Sequence, residues 1–121
     1  MLNELSDKIT AVEGNCDSYT ETEEAKFMMR DINYDYAFDK FIVLSHGHLY
    51  SPFNYTSGYD IFIYGHTHIH QLYQGKDGKI ILNPGSLSCP RDGIHSVATI
   101  DSEGIKIIDF NTEYVIEKLK F

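Results

Sequence analysis

FIVLSHGH (residues 41–48) and DIFIYGHTH (residues 60–68) are built alike: an apolar run that breaks into a His-x-His pair beside a glycine. Runs rich in β-branched and aromatic residues read as short strands. Two strands therefore empty into histidine loops. Five of the six histidines fall within the 25 positions from His46 to His70. On an extended loop the two rings of a His-x-His point to opposite sides, so each can serve a different ion, or one an ion and the other a substrate. A neighbouring glycine lets the backbone turn sharply and come close to a ligand. One such pair is as easily an ordinary surface loop; two, each directly behind a strand, argue for a site. His70 and His95 are assigned surface or supporting roles.

Working outward, residues 34–38 and 41–44 read as a hairpin turning at Asp39-Lys40, and residues 60–64 as a further strand. Residues 71–74 and 79–82 flank the turn GKDG (75–78), while 96–100 and 105–110 flank DSEG (101–104). Residues 114–119 alternate as a last strand, with a short helix as the other reading. Towards the N-terminus, Leu2, Leu5 and Ile9 repeat at helical spacing, and residues 9–12 read as a buried strand closed by Gly14. Residues 18–30 show no clear period and read as loop with a possible helical turn.

The chain has 121 residues, 42% hydrophobic and 23% charged, which is ordinary globular usage and one domain's worth of protein. A net charge of −8 works against tracking an extended nucleic-acid backbone. It does not work against a small phosphorylated substrate, because bound cations invert the local sign of an acidic surface. Cys16 and Cys89 are far apart with no pairing pattern, and no signal-like or membrane-length apolar run occurs, so a cytoplasmic protein that does not enter the membrane is expected.

GNCD (14–17) also follows a strand, and Asn15 is a credible neutral oxygen ligand for a divalent metal. Taken alone, GNCD and NPGS (83–86) are plain turns. Taken in order, GNCD, SHGH, GHTH and NPGS form a series that resembles the calcineurin-like metallophosphoesterase superfamily, and within it the YfcE-type phosphodiesterases. The resemblance covers nearly the whole chain.

It implies an α/β fold, a two-sheet sandwich with outer helices, and phosphodiester hydrolysis by a hydroxide bridging two divalent ions, often manganese, with iron, nickel or zinc also suited to such ligands. It makes Asn15, His46 and His66 ligands of one ion and His68 a ligand of the other. Cys16 stands where many members place a histidine that assists the leaving group, and His48 becomes a possible substrate contact.

The family pattern opens with D-x-H and then G-D, and neither occurs in this sequence. On that reading residues 1–121 are the C-terminal part of a metallophosphoesterase domain, N-terminally incomplete by at least ~30 residues of a βαβ unit. Without the bridging carboxylate the activity of the chain alone is expected to be impaired, with weak binding of one ion at most. The loss of strands predicts a homo-oligomer, or a partner that supplies the missing region. The alternatives are a non-catalytic scaffold of the Vps29 type and a truncated inactive gene product.

Overall fold

The computed structural model describes residues 4, 8–12, 14 and 29–121. The described strands are β1 (Ala11–Val12), β2 (Met29–Arg30), β3 (Ile32–Ala37), β4 (Lys40–Ser45), β5 (Ile61–Tyr64), β6 (Gln71–Gln74), β7 (Ile80–Asn83), β8 (Ser96–Ile100), β9 (Gly104–Asp109) and β10 (Val115–Lys120). β1 and β2 form a short parallel pair. A five-stranded sheet runs β3-β4-β5-β7-β6, and a three-stranded sheet runs β10-β9-β8. In the larger sheet β4, β5 and β7 are parallel to one another, and the edge strands β3 and β6 are antiparallel to their neighbours.

The apolar runs explain this placement. The alternation of strand side chains sends Ile42, Ile61, Ile80 and Leu82 to one face, where they meet Ile105 and Ile107 of β9 to form the core between the two sheets. Val43, Phe62 and Tyr64 point the other way and pack with Tyr55, Tyr59 and Ile81. A strand buried on both faces needs an uninterrupted apolar run, which is what residues 41–44 and 61–64 supply. Each fully buried aliphatic side chain contributes about 1.5–3 kcal/mol, so the central strands hold the histidine loops on a stiff base.

Two packed sheets agree with the expected sandwich, but the outer helices are not confirmed, since no α-helix occurs among the described residues. Leu2 and Leu5 of the proposed helical repeat lie outside them. No helix among the described residues is long and apolar enough to cross a membrane. The segment read as loop contains β2 at its end, too short to give a period. The first hairpin turns at Phe38-Asp39 and not at Asp39-Lys40: Ala37 pairs with Lys40, and Phe38 and Asp39 have φ of 54° and 58°. Two residues of positive φ match the twist of a two-residue hairpin; Asp39 suits such a turn, but Phe38 does not signal it in sequence. The last segment is a strand, with an irregularity between Val115 and Glu117.

Candidate metal centre

Ser45 is in register with Tyr64, and Ile63 with Leu82, so the loops after β4, β5 and β7 leave the sheet along one edge. The carboxyl ends of parallel strands are where open α/β sheets gather ligands. His46–His48, Gly65–His68 and Asn83–Ser86 thus start as neighbours, and Gly65 N donates to His46 O at 2.9 Å.

His46 Nε2 lies 3.2 Å from His66 Nδ1. The His48 ring centroid is 5.3 Å from that of His46 and 6.3 Å from that of His66. The expected divergence of His46 and His48 does not occur: the intervening Gly47, at φ 110°, is not extended, and the rings turn to the same side. A Cβ on Gly47 would come within 3.3 Å of Gly65 O and His66 Cβ, so glycine permits the close approach of the two loops. His66 and His68 have φ of 66° and 60°. Left-handed backbone at two non-glycine positions of one loop persists only where surrounding contacts impose it.

Two nitrogens held at about 2.1 Å from one divalent ion stand roughly 3.0–3.4 Å apart as coordination goes from octahedral to tetrahedral. The His46–His66 separation fits a shared ion. Among the described residues no group of three or more His, Cys, Asp or Glu side chains is arranged to hold a metal. Asn15, expected as the third ligand, and Cys16 lie outside the described residues. His48 Nδ1 is buried without a hydrogen-bond partner among the described residues. An unsatisfied buried polar atom costs about 1–3 kcal/mol, which makes it a natural contact for a bound group.

His68 is set apart from this trio, with Nδ1 2.8 Å from the Cys89 carbonyl oxygen. A carbonyl only accepts, so Nδ1 carries the proton and Nε2 presents a lone pair, the tautomer a metal ligand needs. His70 Nδ1 lies 2.7 Å from Asp92 Oδ2, and its Nε2 3.7 Å from Glu117 Oε2 on β10. Burial pushes the Asp92 carboxyl up, but the N–H groups of Ile94 and His70 and the His70 ring outweigh it and hold the carboxyl below its ordinary value. His95 Nδ1 donates to Leu87 O at 2.6 Å, a supporting role as expected.

Asp92 carries no motif in the sequence, and Asn83 figures there only as the first residue of NPGS, with no role of its own. Fully buried Asn83 donates from Nδ2 to Gly65 O at 3.1 Å and to Thr67 Oγ1 at 2.9 Å, and its Oδ1 accepts from Gly85 N at 2.9 Å. The only signal was an Asn at a strand end before Pro-Gly, which also describes any turn.

A family model described as the calcineurin-like phosphoesterase superfamily domain matches residues 1–104. Phosphodiesterase YfcE of Escherichia coli K12 is 33% identical over 123 residues, covering 98% of this chain and 66% of the relative. The chain therefore spans slightly less than two thirds of that relative's length. The solved structure of YfcE, a phosphoesterase from E. coli, superposes with a TM-score of 0.87 at 31% identity, covering 98% of this chain and 67% of that one. Vps29 of Entamoeba histolytica, solved in complex with Zn2+, gives a TM-score of 0.60 at 22% identity over 90% of this chain and 67% of that one, a likeness of fold.

Proposed function

Since this chain belongs to the calcineurin-like phosphoesterase superfamily, we propose that it provides one side of a metal-dependent phosphodiesterase site acting on small phosphodiesters. The observation that carries the reading is the 3.2 Å approach of His46 Nε2 to His66 Nδ1 from the ends of two adjacent parallel strands. In this reading His46 and His66, with Asn15, hold one divalent ion, manganese by preference, and Nε2 of His68 serves a second. Divalent ions at such a site supply Lewis-acid stabilisation of phosphoryl oxygens and a water activated at neutral pH.

The chain's own contribution is orientation. His48, with its buried Nδ1 unpaired among the described residues, is the group that contacts the substrate, and Cys16 is assigned to the leaving-group side. The D-x-H and G-D ligands of the family are not among these 121 residues. Without those carboxylates little offsets the repulsion between two cations, so the chain alone is expected to turn over slowly and to gain rate when a polypeptide bearing those motifs is added.

The test is hydrolysis of bis(p-nitrophenyl) phosphate with Mn2+, for the chain alone and with such a polypeptide, beside His46→Ala and His66→Ala. Metal-dependent turnover lost in both variants supports the reading. Turnover unaffected by either variant, or none with the N-terminal ligands supplied, counts against it. In the latter case the scaffold alternative becomes the better account.

A further inference from the structure

His68 stands in a left-handed conformation, at φ 60°, with no glycine freedom to explain it, so something must hold it there. The holding contacts come from one short segment, residues 89–92. Cys89 O faces His68 Nδ1 at 2.8 Å, and Arg91 N donates to His68 O at 2.9 Å. Two residues further on, Asp92 Oδ2 takes both the backbone N–H of His70, at 3.3 Å, and its ring Nδ1, at 2.7 Å. The His68 side chain, the His68 carbonyl and the His70 N–H are therefore all held by residues 89–92.

The segment is itself anchored at both ends. Cys89 N donates to Ser86 Oγ at 2.9 Å, and Asp92 Oδ1 accepts from Ile94 N at 3.0 Å. One carboxylate thus closes its own turn with one oxygen and holds the histidine loop with the other. The His70 and Asp92 side chains are only 17% and 19% exposed, so water competes weakly for this pairing.

We infer that residues 89–92 form a clasp that fixes His68 as its Nδ1–H tautomer with Nε2 free to bind a metal, and that Asp92, acting through His70, is the positioning residue that keeps the clasp closed. The importance of Nε2 rests on the metal-site reading above; the clasp itself does not. Opening it leaves His68 in place in the sequence but releases its ring rotamer and tautomer, which lowers affinity for its ion by the ten- to hundredfold typical of losing a group that orients a ligand, i.e. about 10–100-fold.

The test is long-range 1H–15N NMR of the histidine rings in the full chain, first without metal and then titrated with Zn2+ as a diamagnetic probe. In the wild type His68 is expected as a single Nδ1–H tautomer. In Asp92→Ala and in His70→Ala it is expected as a mixture, with the Zn2+ response of His68 weakened and that of His46 and His66 retained. Asp92→Asn, which keeps one acceptor oxygen and turns the other into an N–H donor, so that it can serve Ile94 N–H or His70 but not both, is expected to fall between. A single unchanged His68 tautomer in His70→Ala overturns the proposal, and that variant decides it should Asp92→Ala fail to fold. Zn2+ that leaves His46 and His66 unperturbed in the wild type counts against the metal reading, while the tautomer comparison still judges the clasp.

Discussion

Asn83 Nδ2 donates to Thr67 Oγ1 at 2.9 Å, so the turn after β7 holds the turn after β5 through one buried side chain. Truncation to Ala would leave the part-buried Gly85 N–H without its acceptor, while the Gly65 carbonyl would keep the Thr67 N–H at 2.7 Å. Asn83→Ala is therefore expected to cost about 1–3 kcal/mol, the penalty of one unsatisfied group, read by urea denaturation. A loss under about 1 kcal/mol would mean that the turns hold without it.

Strands with an uninterrupted apolar run or a glycine-marked turn were legible in the sequence. Residues 71–74 and 96–100 match β6 and β8 to the residue, because GKDG and DSEG fix where each hairpin bends. The Phe38-Asp39 turn was not, since the hairpin imposes a positive φ on Phe38, a residue that does not prefer it. At the site, repeated His-x-His loops made His46, His66 and His68 visible. Asn83 escaped because its partners lie 16 and 18 positions away, and Asp92 because its partner His70 lies 22 away. Contacts of that span belong to the topology, and local pattern does not encode them.

The His46–His66 pair makes a sharper claim about metal than the motifs alone. Calorimetric titration with Mn2+ or Zn2+ is expected to be dominated by one weak site at the His46–His66 pair, with binding at His68 weaker still, and its affinity to fall about tenfold or more in His66→Ala, where the shared pair is broken. Two tight independent sites, or an unchanged affinity in His66→Ala, would contradict the pairing.

Asp92 gives a pH dependence of known sign. Its folded pKa is held below the ordinary carboxylate value, so the native state binds the proton less readily than the unfolded chain. The contribution to stability is full above the unfolded pKa and is lost as pH falls from there through the lower folded pKa. Urea midpoints are therefore expected to favour the wild type over Asp92→Asn at about pH 6, with the difference shrinking at about pH 3 and below. A gap that stays constant across that range would assign the effect to shape and not to charge.

The edge strand β3 bears on association. Among the described residues it pairs along one side only, with β4, and its central residues Tyr34, Asp35 and Tyr36 are all exposed. Residues 10 and 11 touch it through side chains, Thr10 Oγ1 to Asp35 Oδ2 at 3.3 Å and Asn33 Nδ2 to Ala11 O at 3.1 Å, not through a backbone ladder. Tyr36 is 66% exposed and Phe38 47%, which leaves apolar surface along an edge whose Tyr34 and Tyr36 N–H groups bond the Asn33 and Asp35 side chains and not another strand. Open edges of this kind template pairing with another chain, and lysine on an edge strand suppresses it. The chain is expected to form dimers or larger species at micromolar concentration in sedimentation velocity, and Tyr36→Lys to shift the population towards monomer. A wild type that sediments as a monomer throughout that range would show that Asp35 and the net charge of −8 already protect the edge.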